Sequence, residues 1–194
     1  MTPAQFVAGL PKAELHMHIE GSIEPDLFLQ LARRNGVAIR WQTEEELRAA
    51  YHFTDLQDFL NLYYDGCRVL VQARDFHDVT RAYLRRAHAD RVLHAEMFLG
   101  PQGHTSRGVP LEVVMEGVLG AMEAARSEDG ITSGLILVAQ RHRKAFEIAG
   151  GFVHVRLCHL DVKRAGGRVH HDIALRRGFA DDLLVYLRFW RHID

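Results

Sequence analysis

Three short apolar runs constrain this chain more than any other feature. Residues 13–18 (AELHMH), 91–99 (RVLHAEMFL) and 131–139 (ITSGLILVA) have the length of strands, and long stretches of helical periodicity separate them. Strands interleaved with amphipathic helices predict an α/β fold in which a parallel sheet is crossed over by helices.

The intervening segments carry matching signals. Thr2 and Pro3 predict the cap and first turn of a helix running to Leu10, with Pro11 stopping it. Pro25 suits a helix start, Leu27, Phe28, Leu31 and Ala32 form its apolar face, and Asn35-Gly36 ends it. Thr43 with Glu46 is a capping-box pair for a short helix to Ala50. A longer helix is expected from Thr54 to Leu70, another capped by Asp75, and a third started by Pro110 and ended at Asp129-Gly130.

With 194 residues, 47% hydrophobic and 25% charged, the chain has the composition of one soluble globular domain. A net charge of −1 offers no electrostatic reason to bind nucleic acid or an anionic membrane. Cys67 and Cys158 lie far apart and outside any Cys-x-x-Cys spacing, so both read as small buried apolar residues in a reducing, cytoplasmic setting. No internal repeat is present. The character of the chain changes near residue 143. Residues 143–194 are rich in Arg, His and Gly, with weak signals for a strand at 152–157 and helices at 174–177 and 181–190. The expected division is therefore 1–142 and 143–194.

Within the first apolar run, His16 and His18 stand two residues apart. A strand sends alternate side chains to one face, which places these imidazoles together and Leu15, Met17 and Ile19 opposite them. Two neutral imidazoles at a strand end can supply two nitrogens to one divalent metal, of which zinc is the commonest with such ligands. The alternative is a pair of polar residues on a half-exposed strand.

The longer string around these histidines, Pro11-Lys12-Ala13-Glu14-Leu15-His16-Met17-His18-Ile19-Glu20-Gly21-Ser22, resembles the adenosine/adenine deaminase family of zinc-dependent (β/α)8 TIM-barrel hydrolases. Further matching strings follow in family order: Phe53-Thr54-Asp55-Leu56-Gln57-Asp58-Phe59-Leu60, Tyr63-Tyr64 with Gly66, and Ala95-Glu96-Met97-Phe98. Pro101-Gln102, His104-Thr105, Arg107-Gly108 and Arg141-His142 complete them.

The resemblance implies that His16 and His18 are two of the Zn2+ ligands. It implies that Leu56, Phe59 and Leu60 form the apolar helix face over the substrate pocket. It also singles out Glu20: the nucleoside-specific branch carries aspartate there, facing a ribose hydroxyl, and the adenine-specific branch carries glutamate. The added methylene pushes a carboxylate into the space a ribose needs. The implied reaction is hydrolytic deamination of a small-molecule purine, adenine to hypoxanthine and ammonia, with adenosine to inosine as the alternative. In the family, a zinc-activated water adds to C6 of the purine, the metal lowering the pKa of that water towards 7.

The family's His-Ala-Gly-Glu string, which supplies a third histidine ligand and the proton donor, is absent from the sequence, as is the late acidic pair. No catalytic acid or base is therefore assigned. A closed barrel usually takes about 250 residues and seldom fewer than about 200. The expectation is the N-terminal half of a barrel, with a tail of the kind a frameshift or altered splice produces. A half-barrel leaves open parallel edges, which favour self-association and a non-catalytic interaction role as the rival reading. Glu96, in an apolar strand, is expected in a structural ion pair. His104 and Arg107 are expected either to scaffold their loop or to face the site.

Overall fold

The computed structural model describes residues 1–138, together with the backbone of two two-residue strands, Arg164–Ala165 and Arg168–Val169, which pair antiparallel. The tail elements expected at 152–157, 174–177 and 181–190 lie outside the described residues, as do Cys158 and the histidines beyond residue 138.

The elements run α1 (Pro3–Gly9), β1 (Lys12–His18), a 3-10 turn (Ile19–Gly21), α2 (Pro25–Arg34), α3 (Glu44–Ala50) and α4 (Leu56–Val69). They continue with α5 (Ala73–Ala89), β2 (Val92–Leu99), α6 (Gln102–Thr105), α7 (Leu111–Glu128) and β3 (Thr132–Leu137). The three long strands form one parallel sheet in the order β1-β2-β3. Sequential parallel strands joined by helical crossovers are the repeating unit of a βα barrel.

One face of the sheet is dry. Ala95, Met97 and Leu99 of β2 and Leu135 of β3 are fully buried in a core with Phe76, Val79 and Leu84 of α5 and Val114, Val118 and Leu119 of α7. The other face carries His94, Glu96 and Phe98 from β2, with His18 of β1 paired to Phe98 and Gly134 of β3 paired to Glu96.

Local signals account for most boundaries. Thr2 and Thr43 each accept from the third residue of the following helix in a complete capping box. Asn35 closes α2, and Gly36 follows it at φ +61°, a left-handed conformation that glycine adopts without a Cβ penalty.

Three expectations need correction. Asp75 does not cap α5 from outside; Gln72 holds that position and Asp75 stands third in the helix. Its buried carboxylate accepts from the backbone N–H groups of Val71 and Gln72 at 3.0 and 2.8 Å, from Asn35 at 2.7 Å and from Arg34 at 2.9 Å. Strand β2 starts at Val92, because Arg91 is left-handed at φ 62° and finishes the α5 turn. Leu15 does not share a buried face with Met17 and Ile19; it is 65% exposed. The register of β1 on β2 shifts between Glu14 and Met17, and such a bulge breaks the two-residue alternation the sequence pattern assumes.

Candidate metal and purine site

The bulge leaves the two histidines together. The rings of His16 and His18 are 5.6 Å apart between centroids, and both stack on Phe98 of β2, at 4.3 and 5.3 Å. Phe98 stands beside His18 in the strand register, so its ring forms a common floor for both imidazoles. They lie at the C-terminal end of a parallel strand, the end at which βα barrels build their sites. His16 is exposed and His18 half-buried, so both can reach a ligand.

Zinc in a catalytic site takes three protein ligands and leaves a fourth position open. The paired imidazoles fit as the first two. No group of three or more His, Cys, Asp or Glu side chains able to hold a metal occurs among the described residues.

Glu20 follows immediately in the 3-10 turn and is 2% exposed. Its Oε1 accepts the backbone N–H of Gly100, just past the end of β2, at 2.7 Å. This bond ties the ends of two neighbouring strands together. His104 of α6, fully buried, places Nε2 3.5 Å from the same oxygen. Burial by itself would raise the Glu20 pKa. The His104 ring facing this oxygen and the backbone donors more than offset this and hold the carboxyl below its usual value. Its other oxygen, Oε2, is buried and accepts no hydrogen bond among the described residues.

The walls around Glu20 come from α4. A Cβ placed on Gly100 would lie 3.4 Å from Glu20 Oε1 and 3.7 Å from the Tyr63 hydroxyl, so both polar groups crowd this glycine. Burial and the Glu20 charge push the Tyr63 phenol and the Cys67 thiol well above their ordinary values. From Tyr63 a run of rings leads outward: Phe59 at 6.1 Å, then Phe53 at 5.3 Å from Phe59. Leu56 is 70% exposed, Phe59 is at the surface and Leu60 half-buried. Thus the apolar face expected over a pocket stands open to solvent at its outer end and reaches Glu20 through Tyr63.

Arg107 is a scaffold. Its guanidinium donates to the carbonyls of Cys67 at 2.7 Å and Leu70 at 3.1 Å, where α4 ends, and to Gly103 at 2.8 Å. The negative end of a helix dipole favours a cation there. Glu96 Oε1 shares a hydrogen bond with His94 Nε2 at 3.1 Å.

A sequence profile described as adenosine deaminase matches residues 11–158. The chain belongs to the adenosine deaminase family. Its relatives include adenine deaminase of Rhodopseudomonas palustris (strain BisB18), 62% identical over 138 residues that cover 71% of this chain and 40% of that protein. Among solved structures, adenine deaminase from Arthrobacter aurescens superposes with a TM-score of 0.67 at 47% identity, covering 71% of this chain and 42% of that one. An amidohydrolase from Burkholderia ambifaria with bound Zn gives 0.66 at 30% identity, covering 76% and 41%. The chain therefore spans about two-fifths of the length of the relatives it matches. The α/β fold is that of part of a family TIM barrel.

Sequence reasoning named His16, His18 and Glu20; the two histidines stand together at the end of β1 and Glu20 lies in the turn that follows. It missed Phe98, Tyr63 and Gly100 as parts of the site and left His104 between loop scaffolding and the site. Phe98, Tyr63 and His104 lay inside the matching strings and Gly100 just outside them, yet an aromatic at a strand position reads as core until the neighbouring strand's register is known.

Proposed function

We propose that the chain is the purine- and metal-binding N-terminal part of a zinc-dependent adenine deaminase. The observation that carries the reading is the pair of imidazoles on Phe98, at the end of the strand that leads into the turn holding the buried Glu20 carboxylate. The names of the relatives favour adenine over adenosine.

His16 and His18 would hold Zn2+, which when bound supplies a hydroxide source at neutral pH. Phe98 fixes both rings. Glu20 Oε2 lacks a donor, and a free purine base brings an imidazole N–H that a nucleoside has replaced by its sugar. Leu56, Phe59 and Leu60 contribute an apolar face against which a planar base loses water contact. The family's His-Ala-Gly-Glu string, which carries the proton donor, is absent from the sequence, so the reading assigns this chain binding without turnover. The isolated cysteines keep the cytoplasm as its setting.

Metal analysis and calorimetric titration of the purified chain with adenine and adenosine test this. Adenine binding that strengthens with Zn2+ and exceeds adenosine binding is the expected result. Preference for adenosine, or no response of either ligand to the metal, overturns it. The edges of β1 and β3, unpaired among the described residues, favour a second reading, a non-catalytic module that pairs through them; a metal-free, ligand-indifferent oligomer in sedimentation would select that one.

A further inference from the structure

Arg107 approaches His104 as well as the end of α4: its Nη2 is 3.1 Å from His104 Nδ1. A guanidinium nitrogen donates and never accepts, and the two Nη2 hydrogens are shared among His104 Nδ1 and the carbonyls of Cys67 and Leu70. Nδ1 must therefore accept, which leaves the ring's proton on Nε2. That nitrogen faces Glu20 Oε1 at 3.5 Å. In the other tautomer an N–H would oppose the guanidinium donors while a lone pair opposed a carboxylate oxygen, so both contacts would turn repulsive at once. His104 is fully buried, with Phe76 edge-on at 4.8 Å, and water has no access to relieve either mismatch.

We infer that His104 is a positioning residue for Glu20, its Nε2–H tautomer locked by Arg107 so that the ring, with the Gly100 N–H, clamps Oε1 and leaves Oε2 for a ligand. Arg107 is itself held by the carbonyls of Gly103, Cys67 and Leu70, so the lock is anchored in α4 and α6 rather than in a loose side chain. The sequence Arg107 to His104 to Glu20 passes helix geometry to one carboxylate rotamer. The purine role of Oε2 rests on the proposed function; the tautomer and the clamp rest on geometry alone.

Long-range 1H–15N correlation spectra of the labelled full chain read the tautomer directly, and exchange of the Gly100 amide reports the Glu20 carboxylate it donates to. The expected pattern is an Nε2–H tautomer at His104. His104→Gln, whose amide N–H mimics Nε2–H, keeps the wild-type Gly100 exchange rate, whereas His104→Phe speeds it about tenfold or more, the scale of one hydrogen bond to a charged group. Arg107→Lys retains a cation at the α4 carbonyls and releases the tautomer to a mixture. An Nδ1–H tautomer in the wild-type chain, or unchanged Gly100 exchange in a folded His104→Phe, overturns the inference. Calorimetry with adenine separates the two readings: an intact Nε2–H tautomer with no adenine binding sinks the purine assignment and leaves the clamp standing.

Discussion

Gly117 of α7 rests directly on the backbone of Ala73 at the start of α5. A Cβ built at residue 117 would overlap the Ala73 carbonyl oxygen and lie 2.7 Å from the Cβ of Phe76. These two helices form the crossover layer over β2 and β3, and Arg81 of α5 pins them again by pairing with Glu128 at 2.6 Å and with Asp129.

Gly117→Ala is therefore expected to force the helices apart and destabilise the chain by about 1–3 kcal/mol. Gly120 is the control on the same helix: its added Cβ meets only His77, at 3.7 Å. Gly120→Ala should stabilise by about 0.5–1 kcal/mol through helix propensity. Urea midpoints for the two variants should move in opposite directions.

The Asp75 carboxylate gathers donors from Arg34, Asn35, Val71 and Gln72 with no exposure of its own. Asp75→Ala removes a buried acceptor and strands those donors, at a cost of about 3 kcal/mol. Because the network joins the end of α2 to the α4–α5 connection, thermal unfolding monitored by circular dichroism should show the loss. The exposed pair Arg126–Glu123, removed the same way, should change little.

Three phenols are held above their ordinary pKa of 10.0: Tyr51 and Tyr83, both at about 12 and both chiefly by burial, and Tyr63 higher still. A folded-state pKa above the unfolded value means the folded chain keeps its proton longer. Stability from these groups is complete below pH 10 and declines as pH rises towards and through 12. Denaturation midpoints should fall between about pH 9 and about pH 11. Absorbance titration of tyrosinate should lag behind that of the unfolded chain.

Both imidazoles stack on Phe98, so in the proposed function this ring orients the metal ligands without being one. Phe98→Ala should weaken Zn2+ binding by about ten- to a hundredfold, the usual effect of removing a group that orients a ligand. His18→Ala should abolish the paired site. Equilibrium dialysis measures both, and a Phe98→Leu variant that recovers no affinity would show that the planar ring, rather than apolar bulk, sets the geometry.

Local chemistry made much of this chain legible. The capping boxes at Thr2 and Thr43, the Asn35-Gly36 stop and the apolar strands depend on neighbours within a turn or two, so periodicity and cap residues suffice to find them. Misplaced details had long-range causes. Leu15 is exposed because β1 bulges against β2, a mismatch invisible in either strand read alone. Asp75 reads as a cap until Arg34 and Asn35, some forty positions earlier, are seen to fill its oxygens.

The sequence by itself determined the α/β alternation and the His16–His18 pair, since strand parity and residue type are local properties, and its resemblance to a deaminase family marked Glu20. The tertiary structure alone decided that Phe98 floors both imidazoles, that Tyr63 and Gly100 crowd Glu20, and that Arg107 dictates which His104 nitrogen carries the proton. Those relationships join residues separated by up to eighty positions or more, and only the parallel packing of β1 on β2, with α4 and α6 closed over their ends, brings them within a hydrogen bond of each other.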